Sequence, residues 1–315
     1  MKSFVVGTLL MTGWLSVASV AHAQTANTQT DGRDYEVLAY LPKDTLAAIA
    51  YYREVSSSDK TSLSQSLGVL RASYVLKFGN LSVVPFDVSL PIVDVSVYVP
   101  TIPAAPMVAP QVVPGTRTVI HESGLADATY LPTIAYTIPE QGTTHTVIAA
   151  TAYITAPTGS YDSSHPVNIG DNRWRIQPNV AVAQRFLNRM TVELIGGLAF
   201  YTTNNQFFTP MGYVSMTQNQ TFGLDAHVTA DLTPDLYVGA SYYFAAIGER
   251  DVQAAMLPLT QADPSQTLQT VRFTFGIRAE KSTLLLLQYN QDIEESNGAG
   301  ISRFIGARLS HAVFF

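Results

Sequence analysis

Between Ile301 and Phe315 two residue classes alternate strictly by position. One parity holds Ile301, Ile305, Ala307, Leu309, Val313 and Phe315, with Arg303 and His311 among them. The other holds Ser302, Phe304, Gly306, Arg308, Ser310, Ala312 and Phe314. Successive side chains of a strand point to opposite faces, so this is one mainly apolar face and one mainly small or polar face; a helix would mix the two sets. The period recurs in Thr270–Ala279, where Val271, Phe273, Phe275 and Ile277 alternate with Thr270, Arg272, Thr274, Gly276 and Arg278. Phe222–Leu232 and Arg175–Val182 follow the same rule. A water-soluble sandwich also alternates, but its polar faces are richer in Lys and Glu than these, which hold Thr, Gly, Asn, Gln and Arg.

Composition decides where the apolar faces go. Only 13% of the 315 residues are charged, 47% are hydrophobic, and mean hydropathy is +0.14. That is the greasiness of a membrane protein, yet 17 Pro and 20 Gly interrupt helices. The longest uncharged apolar stretch after the N-terminus, Val95–Thr116, is broken by Pro100, Pro103, Pro106, Pro110 and Pro114. Without a spanning helix, a lipid-facing apolar surface requires a closed barrel, where every backbone group is paired between strands.

The N-terminus reads as an export signal: Lys2, an apolar run from Phe4 to Val20, and Ala21-His22-Ala23 before Gln24. The expected organisation is a signal peptide over 1–23, a periplasmic N-terminal segment over 24–46 and an outer-membrane β-barrel over 47–315. Removing the signal leaves 17 basic residues against 24 acidic ones, which argues against a nucleic-acid partner. No cysteine is present, so disulfides, thiolate metal sites and a Cys nucleophile are excluded.

Twelve strands are expected, near 47–56, 67–79, 81–96, 127–138, 144–157, 174–186, 190–203, 216–231, 235–248, 268–279, 283–293 and 300–315. Short and long connections alternate between them, as the periplasmic and extracellular ends of an outer-membrane barrel do. The fold class is therefore all-β, a transmembrane antiparallel barrel. The alternating strand that ends at Phe315 resembles the signal read by the barrel-assembly machinery, and outer-membrane lipid is the other structural partner.

No metal or other cofactor is expected, because His121, His145, His165, His227 and His311 form no H-x-H or H-x-x-x-H pair and no phosphate or dinucleotide loop occurs. His121 and Ser123 lie two apart, the spacing that puts a base and a nucleophile on one face of a strand, as in lipid-hydrolysing barrels; the stretch around them shows no clean alternation and reads as loop. Inward-facing charges are the stronger polar signal: Arg71, Lys77, Asp87, Arg175, Arg185, Glu193, Asp225, Asp231, Arg272, Arg278 and Arg308. They either pair across the interior or contact a solute. The connection from Val97 to Ala126 is apolar and proline-rich, and Val99, Ile102, Met107 and Val112 are candidate gating residues if it folds over the mouth; otherwise it extends two strands beyond the membrane.

From Ile154 the chain reads Pro157-x-Gly159-x-Tyr161, then Asn168-x-Gly170-x-Asn172-x-Trp174, then Pro178. This resembles an outer-membrane family known by the MetA pathway of phenol degradation. Asp34-Tyr35, Tyr51-Tyr52 and Gly124-Leu125-Ala126-Asp127 are similar pieces, while Leu41-Pro42-Lys43-Asp44 departs from the family's pattern. The resemblance implies a barrel that takes up small aromatic or hydrophobic solutes and implies no catalytic residue. On physical grounds the two glycines should serve turns, the two asparagines should bond the loop backbone, and Trp174 should sit in an aromatic belt. The expected activity is passive passage of small solutes; the alternative is a lipid-modifying barrel enzyme using His121 and Ser123.

Overall fold

In the computed structural model, which describes residues 32–41, 43–57, 63–100, 117–139, 144–165, 167–209, 212–253, 260–280, 282–296 and 302–314, every alternating segment is a strand. The first six elements are β1 (Thr45–Ser57), β2 (Leu63–Phe78), β3 (Leu81–Pro100), β4 (Arg117–Leu125), β5 (Thr129–Tyr130) and β6 (Thr133–Pro139). Then come β7 (His145–Thr155), β8 (Arg175–Phe186), β9 (Met190–Tyr201), β10 (Asn204–Thr209), β11 (Gly212–Gln218) and β12 (Thr221–Asp231). The last six are β13 (Leu236–Ile247), β14 (Arg250–Gln253), β15 (Thr260–Asp263), β16 (Gln266–Glu280), β17 (Thr283–Ser296) and β18 (Ser302–Phe314).

Each barrel strand pairs antiparallel with its neighbours in sequence, and β1 pairs with β18 from Thr45↔Phe314 to Ser57↔Ser302, which closes the cylinder. β4, β5 and β6 act as one interrupted strand between β3 and β7, so the barrel has twelve strands. The sheet has no open edge at the seam, and its backbone groups can be satisfied inside a bilayer. The short turns at Gly79, Asn188 and Pro234 lie at the end that also holds Thr45 and Phe314. That end is periplasmic.

The two faces separate as their parities require. Val180 and Ile305 point outward and are 67% and 68% exposed, while Arg272 and Glu193 point inward and are fully buried. An uninterrupted outer band of this kind, including Leu90, Ile134, Leu194, Phe273 and Leu287, is stable against lipid and costly in water. Trp174 is exposed beside Phe200 at the extracellular ends of β8 and β9, where an aromatic belt belongs.

Three features depart from the expectation. First, 117–125, read as loop around His121 and Ser123, pairs with β3 out to Pro100↔Arg117, which is the two-strand extension given as the alternative to a lid. Second, β10, β11, β14 and β15 form a separate four-stranded sheet on the extracellular side, with Val214, Met216 and Val252 as its own core. Strands beyond the lipid need no apolar outer face and so lack the alternation that marks the others. Third, within the segment 24–46, read as periplasmic from the polarity of Thr25–Asp34 with a lumen plug as the less favoured reading, Gly32–Leu41 lies inside the barrel, and its Tyr35 and Leu38 are buried.

Candidate functional site

The lumen is occupied at its periplasmic end by Gly32–Leu41, which includes one helical turn, Val37–Tyr40. Tyr35 and Leu38 pack against inward-facing Val75, Val84, Ala135, Val147, Ala149 and Ala183, a wall of small apolar residues shaped to receive them. Polar contacts fix the segment's direction. The Tyr35 backbone N–H donates to Glu193 Oε1 at 3.0 Å, and Lys77 Nζ donates to the Leu38 carbonyl at 2.7 Å. Arg33 pairs with Asp231 at 2.8 Å and lies 4.2 Å from the centre of the Tyr237 ring. Asp34 reaches Arg308 and Glu36 reaches Arg185, each at 3.4 Å, while Glu36 also faces His145 at 3.7 Å.

These contacts account for several of the charges expected in the lumen. Arg71 donates both arms of its guanidinium to Asp87 at 2.7 Å, pairing across adjacent strands. Arg185 also pairs with Asp231. Arg272, fully buried, donates to Asn290 Oδ1 at 2.7 Å and lies between the rings of Tyr243 and Phe304, at 4.6 and 5.6 Å. Arg175 and Asp225 lie on inward parities of β8 and β12 without full burial. Arg278 departs from the expected set: it sits exposed at the periplasmic rim, where Nη1 donates to the Pro234 carbonyl.

The aromatic partners of these cations were not among the expected lumen residues, and His227, weighed only as a metal ligand, also faces the lumen. Arg53 lies 5.6 Å from the Tyr51 ring and 5.4 Å from the Phe304 ring, and Arg308 lies 5.2 Å from the Tyr51 ring. His227, buried, bonds Ser241 Oγ at 2.7 Å and packs edge-on against Tyr243. Guanidiniums and rings are therefore interleaved along the wall that runs from β1 through β18, β17 and β16 to β13, where each ring face stabilises a cation held away from water. The signal was present in the inward parity of these strands, which carries Tyr51, Tyr243 and Phe304 beside the arginines.

Between the plug and the wall lies a cavity of about 520 Å³. Tyr35, Leu38, Ile49, Val75, Leu131 and Leu286 give it apolar surface, and Arg71, Arg185, Arg278 and Arg308 give it cationic surface.

The extracellular end is closed differently. The loop 156–174 folds inward, and its Val167 is buried against Leu67, Val93, Val95 and Val97 on the inner faces of β2 and β3. His165 meets Glu122 of β4 at 3.0 Å. Asp127 suspends the loop by accepting the Gly159 N–H through Oδ1 and the Asp171 N–H through Oδ2, both at 2.7 Å. A Cβ on Gly159 would lie 2.8 Å from backbone atoms of Ala126 and Asp127, and one on Gly170 would lie 2.9 Å from the Gly159 carbonyl carbon. Close backbone approach, more than turn geometry, explains both glycines.

The other residues of the pattern divide by task. Asn168 bonds loop backbone as expected, accepting from the Asp162 N–H at 2.6 Å and donating to the His165 carbonyl at 3.0 Å. Asn172 instead adopts a left-handed conformation with φ of 52° and donates to the Asn204 side chain. Tyr161 donates to the Gln206 carbonyl at 2.8 Å, tying the loop to the extracellular sheet, and burial pushes its phenol above the usual range. Arg173, buried, pairs with Asp171 at 2.7 Å and lies 4.5 Å from the Tyr201 ring centre. Pro157 lies in the loop and Pro178 on the outer parity of β8.

His121 and Ser123 share the exposed outer face of β4, but the His121 ring directs Nδ1 to Ser96 Oγ at 3.2 Å and Nε2 to Asp94 at 3.6 Å, so neither nitrogen is turned to Ser123. Of the candidate gating residues, Val99 lies on β3, and Ile102, Met107 and Val112 fall outside the described residues.

A closed twelve-strand antiparallel cylinder with an apolar outer band and a charged, partly filled interior defines a bacterial outer-membrane β-barrel, located in the outer membrane. Residues 42–309 match the family described as "Putative MetA-pathway of phenol degradation", and the chain belongs to it. The COG4313 outer membrane channel from Pseudomonas putida F1 superposes with a TM-score of 0.75 at 21% identity, over 90% of this chain and 100% of that one. The translocator domain of the autotransporter NalP from Neisseria meningitidis is more distant, with a TM-score of 0.47 at 11% identity over 95% and 98% of the two chains. A search of the curated proteins gives no match.

Proposed function

We propose that the protein is a passive channel of the outer membrane for small solutes with aromatic or otherwise hydrophobic bodies. The observation that carries the reading is the 520 Å³ cavity in the periplasmic half of the lumen, which presents apolar and cationic surface together. A cavity of about 150 Å³ already accepts benzene, so the space suits a substituted single ring. Twelve strands lie between the eight that side chains fill and the sixteen of a wide porin, which fits a narrow path. Membership in a family described by phenol degradation supports an aromatic cargo.

The test is reconstitution of the purified barrel into planar bilayers and proteoliposomes. Discrete single-channel currents in potassium chloride, with faster entry of phenol than of a sugar of similar mass, are the expected result. A folded, heat-modifiable protein that carries no current and does not change phenol entry would sink the proposal. Outer-membrane lipid is the surrounding partner in this reading, and the assembly machinery would engage the strand that ends at Phe315.

A further inference from the structure

We infer that a solute passes the seated plug on one side only, along the inner wall of β1, β17 and β18, and that the short side chains of Ala47, Ser310 and Ala312 on that wall set the width of the passage. The inference rests on the channel reading above and gives that channel a path and its specificity-determining residues.

The two sides of the plug meet different walls. On β6, β7, β8 and β9 the inward residues Ala135, Val147, Ala149, Ala181, Ala183 and Ile195 are buried in one apolar cluster with Tyr35 and Leu38, and none of the six lines the cavity. Packing of that density leaves no room for a solute. On the opposite side Ala47 and Ile49 of β1, Leu286 of β17, and Ser310 and Ala312 of β18 all face the cavity.

Strand register makes the short residues into one patch. Ala47 stands opposite Ala312, and the next inward rung sets Ile49 opposite Ser310. A side chain that ends at or just beyond Cβ cannot reach a plug held against the far wall, so the space between them stays open. Larger residues at these positions would close it.

The plug is held toward the far wall by bonds as well as by packing. Lys77 of β2, Arg185 of β8, Glu193 of β9 and Asp231 of β12 all bind it. On β18 its contact is Asp34 with Arg308, one inward rung above Ser310, so that pair bounds the patch on its extracellular side. Passage along the patch leaves every one of these contacts in place.

The chain contains no cysteine, so a single introduced thiol reports on its own position. Full-length Ser310→Cys, Ala47→Cys, Ala149→Cys and Ala183→Cys barrels in planar bilayers are treated with benzyl methanethiosulfonate, which leaves a benzylthio group on an accessible cysteine and is reversed by dithiothreitol. Heat-modifiable migration establishes that each variant is folded. Reaction at positions 310 and 47 should be at least about tenfold faster than at 149 and 183, where the reagent must wait for local opening. The added ring at 310 or 47 should remove most of the single-channel current, and dithiothreitol should restore it. Equal rates at all four positions overturn the inference, as does a current that survives complete modification at 310 and 47 in a barrel whose parent conducts; the channel reading then stands without this path. A parent barrel that carries no current sinks the channel reading, and the path with it.

Discussion

At the extracellular end, loop 156–174 hangs from backbone N–H groups that one carboxylate, Asp127, accepts at 2.7 Å, with glycine backbones in contact beneath it. At the periplasmic end, Gly32–Leu41 is held by side chains: two apolar residues in a wall of valines and alanines, and ion pairs of which two span 3.4 Å. Backbone contacts at a glycine surface admit one geometry, since any Cβ or any shift of the chain breaks them. Side-chain contacts can be exchanged one at a time for water or for a ligand of similar chemistry. The first closure is built as architecture and the second as something displaceable.

The largest effect should come from emptying the apolar seat of the plug. Tyr35→Ala combined with Leu38→Ala removes two buried side chains, each worth about 2–5 kcal/mol in a packed site. The segment lies outside the sheet's hydrogen-bonded strands, so the loss falls on its docking. Single-channel conductance should rise several-fold while heat-modifiable migration and the barrel's melting temperature stay near those of the parent. Unchanged conductance would show that the plug does not limit the path, and the contrast between the two ends would lose its meaning.

Asp127→Ala addresses the other end. Two backbone donors lose their acceptor, at about 1–3 kcal/mol each where water cannot reach, so the loop should become protease-sensitive at its Gly159–Asn172 stretch. Gly170→Ala should cost less, about 1–3 kcal/mol, by pushing the Gly159 carbonyl away. Gly196→Ala is the control, because nothing lies within 4 Å of its Cβ position, and it should be nearly silent in chemical denaturation. If the two glycine variants behave alike, the close-packed account of the roof is wrong.

What could be read in the sequence follows from which residues face lipid. Val228 and Phe273 alternate with polar neighbours because the bilayer leaves them no choice, and strand number and direction follow from that parity. The roof was legible only in part: Gly159, Gly170 and Asp127 stand in the motifs, but the glycines were expected to serve turns, and neither the inward fold of the loop nor the role of Asp127 could be read. β4 was legible only as the second reading of Val97–Ala126, and the β10, β11, β14 and β15 sheet was not, since strands in water need no apolar face. The plug was hidden for another reason: Arg33–Leu41 has no period, and what specifies it is the surface it meets. A trace of it did exist in the inward parity of β7 and β8, where Val147, Ala149, Ala181 and Ala183 stand in place of the polar residues of an open lumen. A strand that is apolar on both faces inside a barrel has an occupant.

The smallest predicted effect separates the two closures by pH. Asp162, exposed on the roof, accepts hydrogen bonds from the Ser164 hydroxyl at 2.6 Å and the Ser164 N–H at 2.8 Å, and these hold its carboxyl below the usual aspartate range. A carboxyl depressed in the folded state adds stability that is present above its unfolded pKa and is lost as pH falls through the folded value. The roof should therefore hold from neutral pH down to the ordinary aspartate range and loosen below it. Pepsin cleavage within 156–174, followed from about pH 5 to about pH 2, reads this directly, with cleavage rising at the acid end. Asp162→Asn keeps an oxygen that can accept from Ser164 but cannot titrate, so its cleavage should depend less steeply on pH. Because the group is exposed, water screens most of the gain and the shift should be slight. An identical pH dependence in parent and variant would mean that the Asp162 to Ser164 bonds contribute nothing to the roof, leaving Asp127 and the glycines to hold it alone.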